Sequence, residues 1–277
     1  MLRVSVLGSG SRGNAILVEG ADGSVLVDAG FGPRVLAKRL AAIGRTPQHV
    51  ASLLLTHEHT DHAGGAVDAC RAWSWRLRAT PGTLAALHET AKGCEVAHTS
   101  LDPSGTTTFD GWHVQAIAVP HDARECSAFV LTAQRTGQRV GIALDLGHVP
   151  EALPAAFSRL DLLVVESNHD EQLLAHGPYP WLLKRRIGGD LGHLSNGAAA
   201  VFIAGCAHRG LRGVMLAHLS QTNNTPEHAL TRTRDALRRA GWKRDALLAA
   251  HQVVPSGIMG VTTRPALSSS VQLTLAI

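Results

Sequence analysis

The run Thr56-His57-Glu58-His59-Thr60-Asp61-His62 constrains this chain more than any other stretch. Three histidines and an aspartate fall within six residues, directly after the apolar run Leu53-Leu54-Leu55. Such a run reads as a short buried strand, over 51–55. A strand that ends in a loop rich in ligand-type side chains is a rigid platform for a metal site. His57 and His59 lie two apart, so on extended backbone both rings project to one side. Asp61 and His62 open a new turn and can reach a second ion nearby. Imidazole and carboxylate without cysteine suit zinc, manganese or iron. The bland reading, a polar surface loop in a histidine-rich protein, does not account for the ligand-type residues downstream.

Those residues stand at strand ends. The apolar pattern from Val114 to Pro120 ends in His121-Asp122. Gly141-Ile142-Ala143-Leu144 ends in Asp145, Val214-Met215-Leu216-Ala217 in His218, and Val25-Leu26-Val27 in Asp28. Each alone reads as a capping aspartate or a surface histidine; together, beside the HxHxDH run, they point to one site.

Periodicity divides the chain into two similar halves. Strands are expected at 2–7, 15–18 and 24–28, a helix at 33–43 between Pro33 and Gly44, the strand 51–55, and a helix from 63. A strand at 76–79 and a helix at 81–92 follow. Strands at 112–119, 127–133 and 138–144 open the second half. A helix at 150–158, a strand at 160–165, helices at 180–187 and 196–208, a strand at 213–217 and a helix at 226–240 complete it. Two sheets with helices outside satisfy that order. No linker or short-period repeat interrupts it, so one domain over 1–277 is expected.

Composition adds boundaries. With 277 residues, 45% of them hydrophobic, the chain is long enough for a packed core. Net charge is +4, which is compatible with a polyanionic partner without requiring one. Cys70, Cys94, Cys126 and Cys206 are scattered, with no CxxC pair, so no disulfide framework is expected and a reducing compartment fits. The first residues lack the apolar core of a secretion signal, and no apolar run reaches the ~18 residues of a membrane span, so a cytoplasmic protein is expected.

The strand-end pattern resembles the metallo-β-lactamase superfamily: HxHxDH, then a lone histidine, an aspartate and a final histidine. More narrowly the chain is similar to its YycJ (WalJ, VicX) group. The resemblance is carried by Leu7-Gly8-Ser9-Gly10-Ser11-Arg12-Gly13-Asn14, Val27-Asp28-Ala29-Gly30, residues 56–62 and His121-Asp122-Ala123. It continues in Asp145-Leu146-Gly147, Glu166-Ser167-Asn168-His169-Asp170, Tyr179-Pro180-Trp181 and Lys184-Arg185-Arg186-Ile187. Gly192-His193-Leu194-Ser195-Asn196 and His218-Leu219-Ser220 with Asn223-Asn224 end it. The resemblance implies an α/β fold, a four-layer αβ/βα sandwich, and 5′–3′ exonuclease activity on nucleic acid, with DNA favoured over RNA.

It also implies a site. His57, His59 and His121 would hold one divalent ion, zinc or manganese. Asp61, His62 and His218 would hold a second, and Asp145 would bridge both together with a water or hydroxide, the nucleophile. Asp28 and His169 are expected to support the site from behind. Two divalent cations less two carboxylates and a hydroxide leave roughly +1, which attracts a phosphodiester. Similarity to tRNA 3′-processing ribonucleases implies that Glu166 tunes His193 and that His193 protonates the leaving oxygen. Lys184, Arg185 and Arg186, with Ser195 and Asn196, are candidate substrate contacts. The Gly-Ser segment at 8–14 reads either as a phosphate cradle or as a tight turn between strands. The competing function is a small-molecule hydrolase acting on a cyclic phosphodiester, lactone or thioester. A closed cup would favour it, and an open basic groove a polymer. A non-catalytic nucleic-acid-binding scaffold is the third possibility, and the intact ligand set argues against it.

Overall fold

A computed structural model describes residues 1–90, 96–103 and 105–262. The first half contains β1 (Leu2–Gly8), β2 (Ala15–Glu19), β3 (Ser24–Val27), α1 (Pro33–Ala42), β4 (Ser52–Leu54), α2 (Thr60–Ala63), α3 (Ala66–Trp73), β5 (Arg76–Ala79), α4 (Pro81–Thr90) and β6 (His98–Ser100). The second contains β7 (Thr106–Phe109), β8 (Trp112–Ala118), β9 (Ser127–Ala133), β10 (Arg139–Ala143), α5 (Ala152–Ala156), β11 (Leu162–Glu166), α6 (Glu171–His176), α7 (Trp181–Ile187), α8 (Asn196–Cys206), β12 (Gly213–Ala217), α9 (Pro226–Arg239), β13 (Leu247–Ala249) and β14 (Met259–Val261).

The strands form two sheets, in the orders β14-β1-β2-β3-β4-β5-β6 and β13-β12-β11-β10-β9-β8-β7. Their inner faces meet in one apolar layer: Val6, Ile16, Val18 and Val27 on one side, Phe129, Leu131, Ile142 and Val164 on the other. Behind the first sheet, Leu17, Leu26 and Leu53 pack on Leu36 and Leu40 of α1 and Ala69 of α3. Behind the second, Leu163, Val165 and Leu216 pack on Phe202 and Ile203 of α8 and Leu237 of α9. Helices, sheet, sheet, helices is the αβ/βα order expected from the sequence. Strands buried on both faces carry unbroken apolar runs, as Leu162–Val165 and Gly213–Ala217 do.

The topology puts the ligand-type residues at one edge. β3 and β4 are parallel, and so are β10, β11 and β12. β8 and β10 both pair antiparallel with β9, so they too run the same way. The carboxyl ends of β3, β4, β8, β10, β11 and β12 therefore lead to Asp28, the 56–62 loop, His121, Asp145, Glu166 and His218 on one side of the sandwich. Crevices outside carboxyl strand ends are where open α/β sheets bind ligands. The Ser127 N–H donates to the Thr56 carbonyl at 3.0 Å and ties the two sheets together there.

Several expected elements differ. The helix expected from 63 is two pieces, α2 and α3, broken at Gly64-Gly65. Gly65 N–H donates to the Ala29 carbonyl, and a Cβ on Gly65 would lie 1.9 Å from the Phe31 carbonyl oxygen. The β3–α1 connection presses directly on that backbone, so the helix cannot run through. The helix expected at 81–92 is α4 to Thr90; residues 91 and 92, like Cys94, lie outside the described residues. Cys70, Cys126 and Cys206 are buried free thiols. No helix among the described residues is long and apolar enough to cross a membrane.

Candidate metal centre

Asp28 organises the histidine loop. It is fully buried at the end of β3 and takes left-handed backbone, φ 61°. Its carboxylate accepts the Thr56 N–H at 2.8 Å, the Thr56 hydroxyl at 2.9 Å and His62 Nδ1 at 2.7 Å. With its proton committed to Asp28, the His62 ring turns its Nε2 lone pair inward. Gly30 makes room for the same loop, because a Cβ there would lie 1.9 Å from the Asp61 carbonyl oxygen.

The inward atoms converge from several elements. His57 Nε2 is buried and has no hydrogen-bond partner. His121 donates Nδ1 to the Gly192 carbonyl at 3.1 Å, and its Nε2 faces His59 Nδ1 at 3.3 Å. Asp61 Oδ2 lies 3.2 Å from His218 Nε2 and 3.5 Å from His62 Nε2. Asp145 sits between the groups: Oδ2 is 2.5 Å from His62 Nε2 and 3.9 Å from His57 Nε2, and Oδ1 is 3.5 Å from His218 Nε2. Both Asp145 oxygens are buried without a hydrogen bond. Like Asp28, Asp145 and His218 stand on left-handed backbone, φ 55° and 50°. Asp and His tolerate that region better than most side chains.

Four overlapping groups have donor atoms mutually within 4.8 Å: His57, His59 and His121; His57, His62 and Asp145; Asp61, His62 and His218; Asp145, Glu166, His193 and His218. The first and third are the two sets expected from the sequence, and Asp145 stands between them. A lone pair on His62 aimed at a carboxylate, with uncompensated oxygens buried beside it, is unfavourable unless a cation lies among them. The donor set therefore fits divalent metal of the zinc or manganese type.

The electrostatics agree. Burial holds the His57 and His121 imidazoles below the usual range, in the neutral form that ligates. Burial works to raise the Asp61 carboxyl, but hydrogen bonds and charge from His218 and His62 outweigh it and hold the group ionised. Burial opposes a charge on His62 as well, yet Asp145 and Asp28 pull a proton onto it when no ion is present. The same field that would hold a cation holds that proton.

Glu166 and His193 join the centre at its edge. Glu166 is fully buried at the end of β11, where Oε1 accepts the N–H groups of Leu146 and Leu194 at 2.7 and 2.9 Å. His193 Nδ1 donates to Oε2 at 3.1 Å and lies 3.0 Å from Asp145 Oδ1. Burial disfavours a charged ring, but the Glu166 charge and the close approach of the Asp145 and Glu166 carboxylates push His193 up to about 10. His193 lines a cavity of about 300 Å³ together with His59, Asp61, His121, Asp145 and His218.

The remaining expected residues divide. Arg186 lines the cavity and its Nε donates to Asp122 at 2.7 Å. Lys184 donates to the Ala175 carbonyl, and the Arg185 guanidinium lies over the Trp181 ring, so neither lines it. Ser195 and Asn196, expected as substrate contacts, are outside the lining too. Ser195 caps α8 and donates to Glu171, while Asn196 is buried and bonded to Ser167 and Asn224. His169 is buried; its carbonyl accepts the Asn196 N–H, and Glu166 and His193 lie near enough for their charges to act on it.

The 8–14 segment is a structural clamp. Gly10 N–H donates to the Asn14 side chain, Arg12 N–H to Gln252 and Gly13 N–H to the Gly10 carbonyl. Those three donors are engaged within the protein, as a tight turn requires, while Ser11 between them lines the cavity. The segment's functional members, missed by sequence reasoning, are Ser9 and Asn14. Ser9 Oγ accepts the His218 N–H at 2.7 Å, and Asn14 N–H donates to the Asp61 carbonyl at 2.7 Å. The Asn14 side-chain amide donates to the same Asp61 carbonyl at 3.3 Å.

Comparison with known proteins places this centre in context. A family model described as the metallo-beta-lactamase superfamily matches residues 8–247. Exodeoxyribonuclease WalJ of Streptococcus pneumoniae serotype 2 (strain D39) is 31% identical over 230 residues, covering 82% of this chain and 85% of the relative. Exodeoxyribonuclease YycJ of Bacillus anthracis is 30% identical over 242 residues, covering 87% and 91%. Among solved structures, the metallo-beta-lactamase fold protein YhfI from Bacillus subtilis superposes with a TM-score of 0.68 at 15% identity, covering 93% of this chain and 100% of its own. The short form of human tRNase Z reaches 0.60 at 15% identity, covering 92% and 98%. At such identities the structural likeness concerns the fold alone.

Proposed function

The chain belongs to the metallo-β-lactamase superfamily and is a metal-dependent hydrolase; on that premise we propose that it is a 5′–3′ exonuclease acting on DNA. The reading is supported by two relatives named as exodeoxyribonucleases along most of their length. The observation that carries it is His193, an imidazole charged by Glu166 that lines the same cavity as the metal donors. Phosphodiester hydrolysis needs a nucleophile on one side of phosphorus and a proton for the oxygen that departs on the other.

His57, His59 and His121 would hold one ion and Asp61, His62 and His218 a second, with Asp145 shared. When bound, such ions supply an acidified water and neutralise charge on the phosphoryl oxygens. The chain's own residues do the rest. Asp28 fixes the proton on His62 Nδ1, so that Nε2 is a donor to metal. Glu166 holds its two N–H bonds and orients His193 through Nδ1, which leaves Nε2 to give its proton to the leaving oxygen. Arg186 contributes a cation to the lining, with Asp122 setting its direction.

The cavity is a modest cup and not a long basic groove, which also keeps a small-substrate hydrolase in view. End-labelled single- and double-stranded DNA and RNA, incubated with protein loaded with Mn²⁺ or Zn²⁺, separate the readings. Stepwise loss of DNA nucleotides from the 5′ end is expected. Brisk hydrolysis of a thioester or lactone with no cutting of nucleic acid would replace the exonuclease with the alternative.

A further inference from the structure

The cup that contains the metal donors has a second wall. Tyr179, Leu183, Ile187 and Leu191 recur every fourth residue, and all four line it. Leu183 and Ile187 sit four apart on α7, hence on one face of it. Tyr179 precedes the helix and Leu191 follows it, so one apolar row borders a cavity whose other lining is mostly polar, chiefly imidazole and carboxylate with Arg186, Ser11, Asn168 and Ser220. Trp181 and Leu182 of the same helix are 63% and 73% exposed. Tyr179 is the chain's one tyrosine. This wall takes no part in holding metal or in moving protons.

A cup of about 300 Å³ is at the small end of pockets that take a single small ligand. That volume is about the size of one nucleotide. A nucleotide has the same division as the cup, with a charged phosphodiester at one end and a planar, weakly polar base at the other. With the phosphodiester at the donors, the base meets the apolar row. Aromatic and apolar side chains bind bases with little regard to sequence, because every base presents a π face.

We infer that Tyr179 and the row Leu183, Ile187 and Leu191 form a base subsite, which receives the terminal nucleotide after it has left the stack. The inference rests on the exonuclease reading and deepens it. On this reading a duplex end frays by one pair before each cut.

The test compares two oligonucleotides, one with ordinary ends and one whose terminal residue at each end is abasic, so that the phosphodiester is kept and the base removed. With metal-loaded wild-type protein, kcat/KM for the abasic end is expected to be about tenfold lower or more, the size of one lost stacking contact. Tyr179→Ala is expected to cut the ordinary end as poorly as wild type cuts the abasic one, mainly through KM. Its rate on the abasic end and its metal content should be unchanged. Tyr179→Phe keeps the ring and should keep the preference, and Leu183→Ala should lose part of it. Equal rates on both ends by wild type, or a full preference persisting in Tyr179→Ala, would overturn the subsite. Absence of cleavage of either oligonucleotide would remove the nuclease reading and the subsite with it, an outcome distinct from cutting without preference.

Discussion

His193 Nδ1 lies 3.1 Å from Glu166 Oε2, and the other oxygen of that carboxylate is bound by the N–H groups of Leu146 and Leu194. Glu166 thus ties two loops to the end of β11 at one buried point and turns the imidazole toward the cup. On the proposed reading this pair serves proton transfer and not metal binding. The centre's two tasks can therefore be disturbed one at a time.

His193→Ala is expected to lower kcat by about 10²–10⁴-fold while both donor sets keep their metal. Metal analysis of the purified variant decides the point. Loss of metal with loss of turnover would make His193 a ligand.

The pH profile should report the same pair. With His193 raised to about 10, its proton is present below that pH and lost as pH climbs through it. Activity should therefore fall on the alkaline side only as that range is approached. Glu166→Gln removes the negative charge that retains the proton, so the alkaline limb should move to lower pH. A limb that stays in place would mean that another group sets it.

Asp28→Asn keeps an acceptor for Thr56 but removes the charge that His62 Nδ1 donates to. Metal affinity is expected to fall about 10–100-fold, measured by competition with a chelator. Asp61→Ala should abolish turnover outright, because it deletes a member of the third donor set. Unchanged metal affinity in Asp28→Asn would show that Thr56, not the carboxylate charge, fixes the ring.

Among the three basic residues at 184–186, only Arg186 lines the cup. Arg186→Ala should raise KM for DNA and flatten its salt dependence by about one phosphate contact. Lys184→Ala, whose ammonium is bonded to the Ala175 carbonyl, should change both far less. Equal effects from the two would favour a diffuse basic surface.

The donor residues were legible because chemistry and secondary structure coincide on them. His57, His59, His121, Asp145 and His218 all follow apolar runs, and a parallel arrangement must bring such strand ends to one edge. Elements of low contrast were not legible. β6 and β7 are short edge strands whose residues are mostly polar or exposed, β13 and β14 have three residues each, and α6 is six residues opened by the Asp170 cap. Periodicity needs more length than that to register. Ser195 and Asn196 sit in a segment shared with the YycJ group, but a sequence resemblance cannot say whether a polar side chain faces the substrate or the protein behind it. Here Asn196 faces Ser167 and Asn224.

Asp28, Asp145 and His218 stand at corners where the chain leaves its strands in left-handed backbone. L-residues bear a cost there of about 1 kcal/mol each, and glycine or asparagine bears less. A substitution scan should therefore divide these corners by two opposed criteria. At Asp145 and His218, glycine and asparagine should melt at or above the wild-type metal-free protein while being inactive, and β-branched residues should fail on both counts. At Asp28 glycine should lower the melting temperature, because the buried Thr56 and His62 donors lose their acceptor. On the proposed reading, Asp145 and His218 hold their places because hydrolysis demands them, Asp28 because His62 needs its acceptor, and bound metal would return the stability forgone at these corners.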